Sequence, residues 1–200
     1  MRNFPTAELE ALFHHEGLEY IAGVDEAGRG PVAGPVTAAA VILSVDELIE
    51  SVKDSKQISE MQRESVASVI KEKAIDFSIA HVPHDTIDTV NILNATRLAV
   101  SKAIESLKIR PQVILIDGKF LNLKNKTCIS IVKGDSRIYS ISAASILAKT
   151  SRDKLMYHYA EEFPNYSFEK NKGYLTAEHL EAIRKHGLSP IHRRSFSISL

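Results

Sequence analysis

Two rhythms of apolar residues run through this chain. Short runs rich in Val, Ile and Ala, bounded by Gly, Pro, Asp or Lys, predict strands at 21–24, 37–43, 74–82, 112–116 and 127–132. The run Thr37 to Leu43 is almost unbroken, which suits a central strand buried on both faces. Ile75, Phe77 and Ile79 alternate instead, as on a strand with one buried face. Helical spacing fills the intervals. A short helix is predicted over 6–16, with Thr6 as N-cap and Leu9, Leu12 and Phe13 on one side. Ser59 followed by Gln62 is a capping-box pattern and opens a helix to about Glu72. Leu93, Ala99, Val100, Ala103, Ile104 and Leu107 give an apolar face to a helix over 91–107, ended by Arg110-Pro111. A long helix runs from Ser140 to about Glu162, with small residues first, and stops at Phe163-Pro164. A last helix starts after Thr176 and ends near His186, with Gly187 as its C-terminal cap. Strands interleaved with helices predict an α/β fold: a mixed central sheet flanked by helices over 1–162, followed by a basic helical extension over 163–200.

Composition narrows the class. The chain has 200 residues, 44% hydrophobic and 25% charged, as in an ordinary soluble domain with a sizeable core. One cysteine, Cys128, excludes an internal disulfide framework and any Cys-based metal motif; it reads as a small buried hydrophobe. There is no secretory leader pattern, and the apolar run 31–45 is too short for a membrane span and holds Pro31 and Pro35. A cytoplasmic protein without membrane contact is the expectation. Net charge is zero at pH 7, so overall charge gives no support for a nucleic-acid partner, and the local distribution is the better test. From Lys170 onward there are six Lys/Arg against two Asp/Glu, a basic tail suited to a phosphate backbone.

Candidate chemistry lies at the strand ends. Asp25-Glu26-Ala27-Gly28-Arg29-Gly30 follows the first strand, Asp117-Gly118 the fourth, and Gly134-Asp135 the fifth. Adjacent residues on an extended strand point to opposite faces, so Glu26 needs a turn or bulge to join Asp25 at one site. Gly28 and Gly30 permit close backbone approach to a ligand, and Arg29 could donate to a phosphate. A solvated Gly-rich turn would look similar locally. Four carboxylates brought together would repel one another without cations. Two divalent ions, about 4 Å apart, would neutralise them and serve phosphoryl transfer. An oxygen-only donor set favours magnesium or manganese over zinc. His81, His84 and Asp85 have no diagnostic metal spacing and read as a solvated loop. The patterns GxxxxGK[ST] and GxSxG are absent, and Gly28-Arg29-Gly30 lacks dinucleotide-fingerprint spacing.

Motifs spread in order over nearly the whole chain resemble one family. They are GVDEAGRGPVAGPV at 23–36, DSKQIS at 54–59, NILNATRLAV at 91–100, LIDG at 115–118 and KGD at 133–135. SAASILAKTSRD at 142–153, KGYLTAEHLEAIRKHG at 172–187 and HRRSF at 192–196 complete the set. The chain is similar to bacterial ribonuclease HII, the type 2 ribonuclease H family. That resemblance implies a ribonuclease H-like fold with a helical C-terminal part. It implies metal-dependent hydrolysis of the RNA strand in RNA–DNA hybrids. Incision on the 5′ side of single ribonucleotides in duplex DNA is implied too, leaving 3′-hydroxyl and 5′-phosphate ends. The family's metal-binding carboxylates fall on Asp25, Glu26, Asp117 and Asp135, with Mg2+ or Mn2+ as cofactor and two ions in catalysis. Its loop that senses the 2′-hydroxyl through backbone groups falls on Gly28, Arg29 and Gly30, and its junction-sensing tyrosine on Tyr174. Ser55 and Lys56 fall on a phosphate-contacting loop, and Arg193 and Arg194 on a basic substrate-binding motif. The expected partners are RNA–DNA hybrid and ribonucleotide-containing duplex DNA, bound by a monomer; no clamp-binding tail follows HRRSF. Three positions depart from the common pattern: Lys119, Leu175 after Tyr174, and Ser142. Leu175 puts the junction preference in question. A recombinase-type DNA nuclease on the same fold and a non-catalytic nucleic-acid binding module are the alternatives.

Overall fold

The computed structural model describes residues 5–52, 58–118 and 127–198. Five strands form one mixed sheet: β1 (Ile21–Ala27), β2 (Val36–Ile42), β3 (Asp76–Val82), β4 (Val113–Asp117) and β5 (Cys128–Ile131), in the order β3-β2-β1-β4-β5. Hairpin-like neighbours β3, β2 and β1 are antiparallel, whereas β1, β4 and β5 run parallel. The helices are α1 (Glu8–His15), α2 (Glu60–Lys73), α3 (His84–Glu105), α4 (Tyr139–Glu162), α5 (Phe168–Asn171) and α6 (Ala177–His186).

The sheet has a core on each face. Helix α3 covers one, packing Ala95, Ala99, Val100 and Ala103 on Val24, Ala38, Ala40 and Ile116. Helices α2 and α4 cover the other, where Val66, Ile70, Ile146 and Leu147 meet Ala39 and Val41. Strand β2 therefore has buried side chains along its full length, as its unbroken apolar run requires. Gly23 sets how close α4 comes: a Cβ there would collide with the Ser140 carbonyl. The small residues Ser142, Ala143, Ala144, Ser145 and Ala148 continue this close seat along α4. The C-terminal region has its own cluster, in which Tyr166, Phe168, Ile183 and Ile191 pack against Met156 of α4 and Ala33.

Several boundaries differ from the sequence reading. Strand β1 continues through Asp25 and Glu26, because β2 supplies Ala39 and Ala38 as partners. Thr6 is not the cap of α1; it pairs with Ile138 as an isolated bridge. Leu12 turns outward, 57% exposed, while Leu9 and Phe13 pack inward. Ile75 precedes β3 and is exposed, while Phe77 and Ile79 face the core as expected. Helix α3 begins seven residues early, at His84, and kinks at Asn91 (φ 66, ψ 164). The Asn91 side chain caps the second segment by accepting from the Asn94 amide at 3.1 Å, which is why Asn91 reads as a start. His84 and Asp85 are therefore helical, not loop; His81 lies on β3 and bonds Thr37 Oγ1 at 2.8 Å. Ser59 and Gln62 do form the capping box of α2. Among the described residues no helix is long and apolar enough to cross a membrane.

Candidate nuclease site at the strand ends

Parallel pairing of β1 and β4 places Asp25 and Asp117 just past their last paired residues, Val24 and Ile116. Asp25 shares its sheet face with Gly23, so it points at α4, where Ser145 hydrogen-bonds it. Asp117 accepts the Gly134 amide at 2.6 Å, which anchors the turn that carries Asp135. Glu26 faces Arg29 at 3.1 Å. These four carboxylates line one cleft of about 370 Å³ together with Gly28, Arg29, Gly30 and Tyr174. A larger groove of about 580 Å³ lies beside Leu107 and Pro111 and contains none of the sequence-predicted residues.

Crowding shows in the electrostatics. Burial raises the Asp25 carboxyl well above its ordinary range, and the charges of Glu26 and Asp117 raise it further against the Ser145 hydrogen bond. Burial also raises Glu26; Arg29 opposes that, and Asp117 adds to it. Among the described residues no three His, Cys, Asp or Glu side chains are gathered closely enough to hold a metal ion as they stand. The four carboxylates share a cleft without converging on one point. The donor set nevertheless fits hard divalent cations: it is all oxygen, and the repulsion that raises Asp25 is what a cation would relieve.

Two buried arginines lie beneath the Gly-Arg-Gly loop, and Arg193 holds its carbonyls. Gly28 has φ 92, and a Cβ there would meet the Arg152 side chain. Arg152 donates from Nε to Pro35 O at 3.0 Å and from Nη2 to Ala33 O at 3.2 Å. Arg193 donates to Gly28 O at 2.6 Å, Arg29 O at 3.1 Å, Gly34 O at 2.9 Å and Pro35 O at 3.1 Å. Burial, then the like charge of Arg152, lowers Arg193 to about 9, so it stays charged at neutral pH. Tyr174 sits over the far end of the loop, its ring 3.4 Å from where a Cβ on Gly30 would stand.

The expected substrate-binding set therefore divides. Gly28, Arg29, Gly30 and Tyr174 line the cleft. Arg193 does not face it: the residue is 0% exposed and its guanidinium is turned onto loop carbonyls, so its part is to hold the loop. Arg194 is exposed but outside the cleft lining, and its amide donates to Asp88 at 2.9 Å. Ser55 and Lys56 lie outside the described residues. Sequence reasoning missed Arg63, Ser145, Lys149 and Arg152 as lining residues. Ser145, Lys149 and Arg152 fall at i, i+4 and i+7, one polar stripe along α4, and that spacing is visible in the sequence. Lys149 pairs with Asp153 at 2.6 Å, and Arg63 reaches the same carboxylate at 3.6 Å.

The chain is similar to known proteins over nearly its whole length. The family model described as Ribonuclease HII matches residues 22–199. Ribonuclease HII of Endomicrobium trichonymphae is 51% identical over 189 residues, spanning 92% of this chain and 89% of the relative. That of Clostridioides difficile is 50% identical over 189 residues, spanning 92% and 74%. The crystal structure of ribonuclease H2 from Pyrococcus horikoshii superposes with a TM-score of 0.75 at 30% identity, covering 88% of this chain and 93% of that one.

Proposed function

The chain belongs to the ribonuclease HII family, and on that premise we propose that Asp25, Glu26, Asp117 and Asp135 form the cation-binding site of its reaction. The family makes it a metal-dependent endoribonuclease acting on RNA–DNA hybrids. The proposed substrate extends to a single ribonucleotide embedded in duplex DNA, cut on its 5′ side to leave 3′-hydroxyl and 5′-phosphate ends.

The observation that supports this reading most is the common cleft of four carboxylates, the Gly-Arg-Gly loop and Tyr174. Asp25 and Asp117 stand side by side at the ends of parallel strands, with Glu26 and Asp135 flanking them. Two Mg2+ or Mn2+ ions bound there would supply an activated water and neutralise the charge developing on the phosphate. The protein's own groups do the rest. Asp25 and Glu26, whose carboxyls burial raises, would hold the ions together with Asp117 and Asp135. The Gly28–Gly30 backbone approaches the sugar and tests for a 2′-hydroxyl, the group that distinguishes RNA from DNA. Tyr174, half exposed at the rim, stacks on the following deoxyribose and so reads the RNA–DNA junction.

The test is incubation of an end-labelled duplex carrying one ribonucleotide, with magnesium or manganese, beside an all-DNA control. Incision on the 5′ side of the ribonucleotide and an intact control are expected. Asp117→Asn should keep its thermal transition and lose nearly all incision. Wild-type turnover by the folded variant would overturn the site assignment. Cleavage of the all-DNA control would point to a DNA nuclease, and metal-independent binding without product to a non-catalytic module.

A further inference from the structure

A chain of hydrogen bonds runs behind the rim of the cleft and ends on Tyr174. It starts at Ser189, whose backbone N–H donates to His192 Nδ1 at 2.9 Å. A ring nitrogen that accepts carries no proton, so neutral His192 keeps its proton on Nε2. That atom lies 3.0 Å from His179 Nε2. On its other side His179 places Nδ1 2.8 Å from the Tyr174 carbonyl oxygen. A carbonyl can only accept, so Nδ1 holds the proton and His179 Nε2 is bare. The two tautomers are complementary, and His192 Nε2–H donates to His179 Nε2. Both rings are buried and packed edge-on or tilted against Tyr166 and Phe168. Burial, and then the neighbouring His179, lowers His192 to about 4, which keeps the pair neutral at neutral pH.

We propose that His179 and His192 are positioning residues that fix Tyr174 against Gly30 and thereby set the preference for an embedded ribonucleotide over a uniform hybrid. This rests on the reading of Tyr174 as the junction sensor. Tyr174 is 48% exposed, so packing alone does little to place it. Its backbone is tied instead: the amide donates to Asn171 O at 2.9 Å, and the carbonyl accepts from the Thr176 amide at 2.9 Å and from His179. The relay also reaches the opposite wall. His192 bridges Ala33 and directly precedes Arg193, whose guanidinium holds the Gly28 and Arg29 carbonyls. One buried pair thus spaces the tyrosine from the Gly-Arg-Gly loop.

The readout is the ratio of incision at a single embedded ribonucleotide to cleavage of a uniform RNA–DNA hybrid, both measured on one preparation. Loss of folded protein cancels in that ratio. For His179→Leu, which removes both bonds of the His179 ring, the ratio should fall roughly three- to tenfold, the effect of losing the one buried hydrogen bond that reaches Tyr174. His179→Asn should restore most of it, because the amide nitrogen can replace the Nδ1 donor. In a Tyr174→Ala background, His179→Leu should change the ratio no further. An unchanged ratio for folded His179→Leu, alongside a changed ratio for Tyr174→Ala, would overturn the relay and leave the tyrosine's role standing. An unchanged ratio for Tyr174→Ala would overturn both. Nitrogen-15 imidazole spectra of the wild-type protein give a second check that no variant can confound. A proton on His192 Nδ1, or none on His179 Nδ1, would overturn the inference.

Discussion

Arg193→Lys separates a loop clamp from a phosphate contact. The guanidinium serves four backbone carbonyls in a fixed fork, those of Gly28, Arg29, Gly34 and Pro35. Lysine keeps the charge but concentrates its donors on one atom at the end of a flexible stem. It can reach one or two of the four. Pro35 O retains Arg152 as a donor, and Arg29 lies at the surface. The carbonyls of Gly28 and Gly34 are the ones left exposed to loss. Gly34 O is buried and Gly28 O partly so; an unsatisfied buried acceptor costs about 1–3 kcal/mol and a partly buried one less, so the loss is roughly 1–4 kcal/mol. For a domain of this size that corresponds to a fall in Tm of roughly 3–15 °C. The loop should also lose its seat, so discrimination between a ribonucleotide duplex and an all-DNA duplex should weaken beyond what the folded fraction explains. Thermal melts and paired incision assays measure the two effects. A phosphate contact would behave differently: lysine would substitute well, stability would hold, and only the salt dependence of binding would shift. A variant with wild-type Tm and wild-type discrimination would refute the clamp.

Two further predictions concern the frame and the carboxylates. Gly23→Ala pushes a methyl group into the Ser140 backbone, where no side chain can move aside, so destabilisation at or above the usual overpacking range of about 1–3 kcal/mol is expected in urea unfolding; a change within about 0.5 kcal/mol would refute the direct seat of α4 on β1. Asp25 has a folded-state pKa above its unfolded value, so the stability it contributes is full below the unfolded pKa and is lost as pH rises through the folded one; Asp25→Asn should therefore stabilise the chelator-treated protein at neutral pH, with the difference closing in acid, and a variant less stable than wild type at neutral pH would contradict the assignment.

Local signals were legible and tertiary ones were not. The Ser59–Gln62 box could be read from the sequence because both partners lie within one turn. The two-sided burial of β2 was legible because a strand with no polar alternation has no face to give to water. The carboxylates at strand ends followed from where apolar runs stop. What failed depended on distant partners. Strand β1 outlasts its apolar run because β2 continues to pair with it past Val24. Thr6 has the composition of a cap but meets Ile138 instead. Asn91 carries a true capping signal for only the second half of a kinked helix. Arg193 is the instructive case. A basic residue in a basic tail reads as a phosphate contact, and only its burial shows that its charge is directed at the protein's own backbone. Arg152 gives no sequence signal of its burial either. Two buried arginines a long way apart in sequence share the Pro35 carbonyl, and no local pattern reports that.

The clamp also fixes what the loop presents to the cleft. In a planar trans peptide the carbonyl of one residue and the amide N–H of the next point in opposite directions. The Gly28 and Arg29 carbonyls turn inward to Arg193, so the amides of Arg29 and Gly30 turn the other way. The Arg29 side chain is paired with Glu26 at 3.1 Å, and the two backbone amides add a second set of donors on the loop. An outward pair of N–H donors suits an acceptor such as a hydroxyl oxygen, and it can come close only where no Cβ intervenes. Glycine on either side of Arg29 meets that requirement. The same argument explains why a cationic clamp serves better than a neutral one. A buried guanidinium can hold several carbonyls in one direction at once, and so commits several peptide planes to a single orientation. The carboxylates across the cleft are answered only in part from within. Ser145 bonds Asp25, Arg29 pairs with Glu26 and the Gly134 amide bonds Asp117, yet Glu26 and Asp117 still raise Asp25, and Asp117 raises Glu26. The site thus pairs a loop whose carbonyls are held by a buried cation with a carboxylate wall whose remaining repulsion a bound cation would relieve.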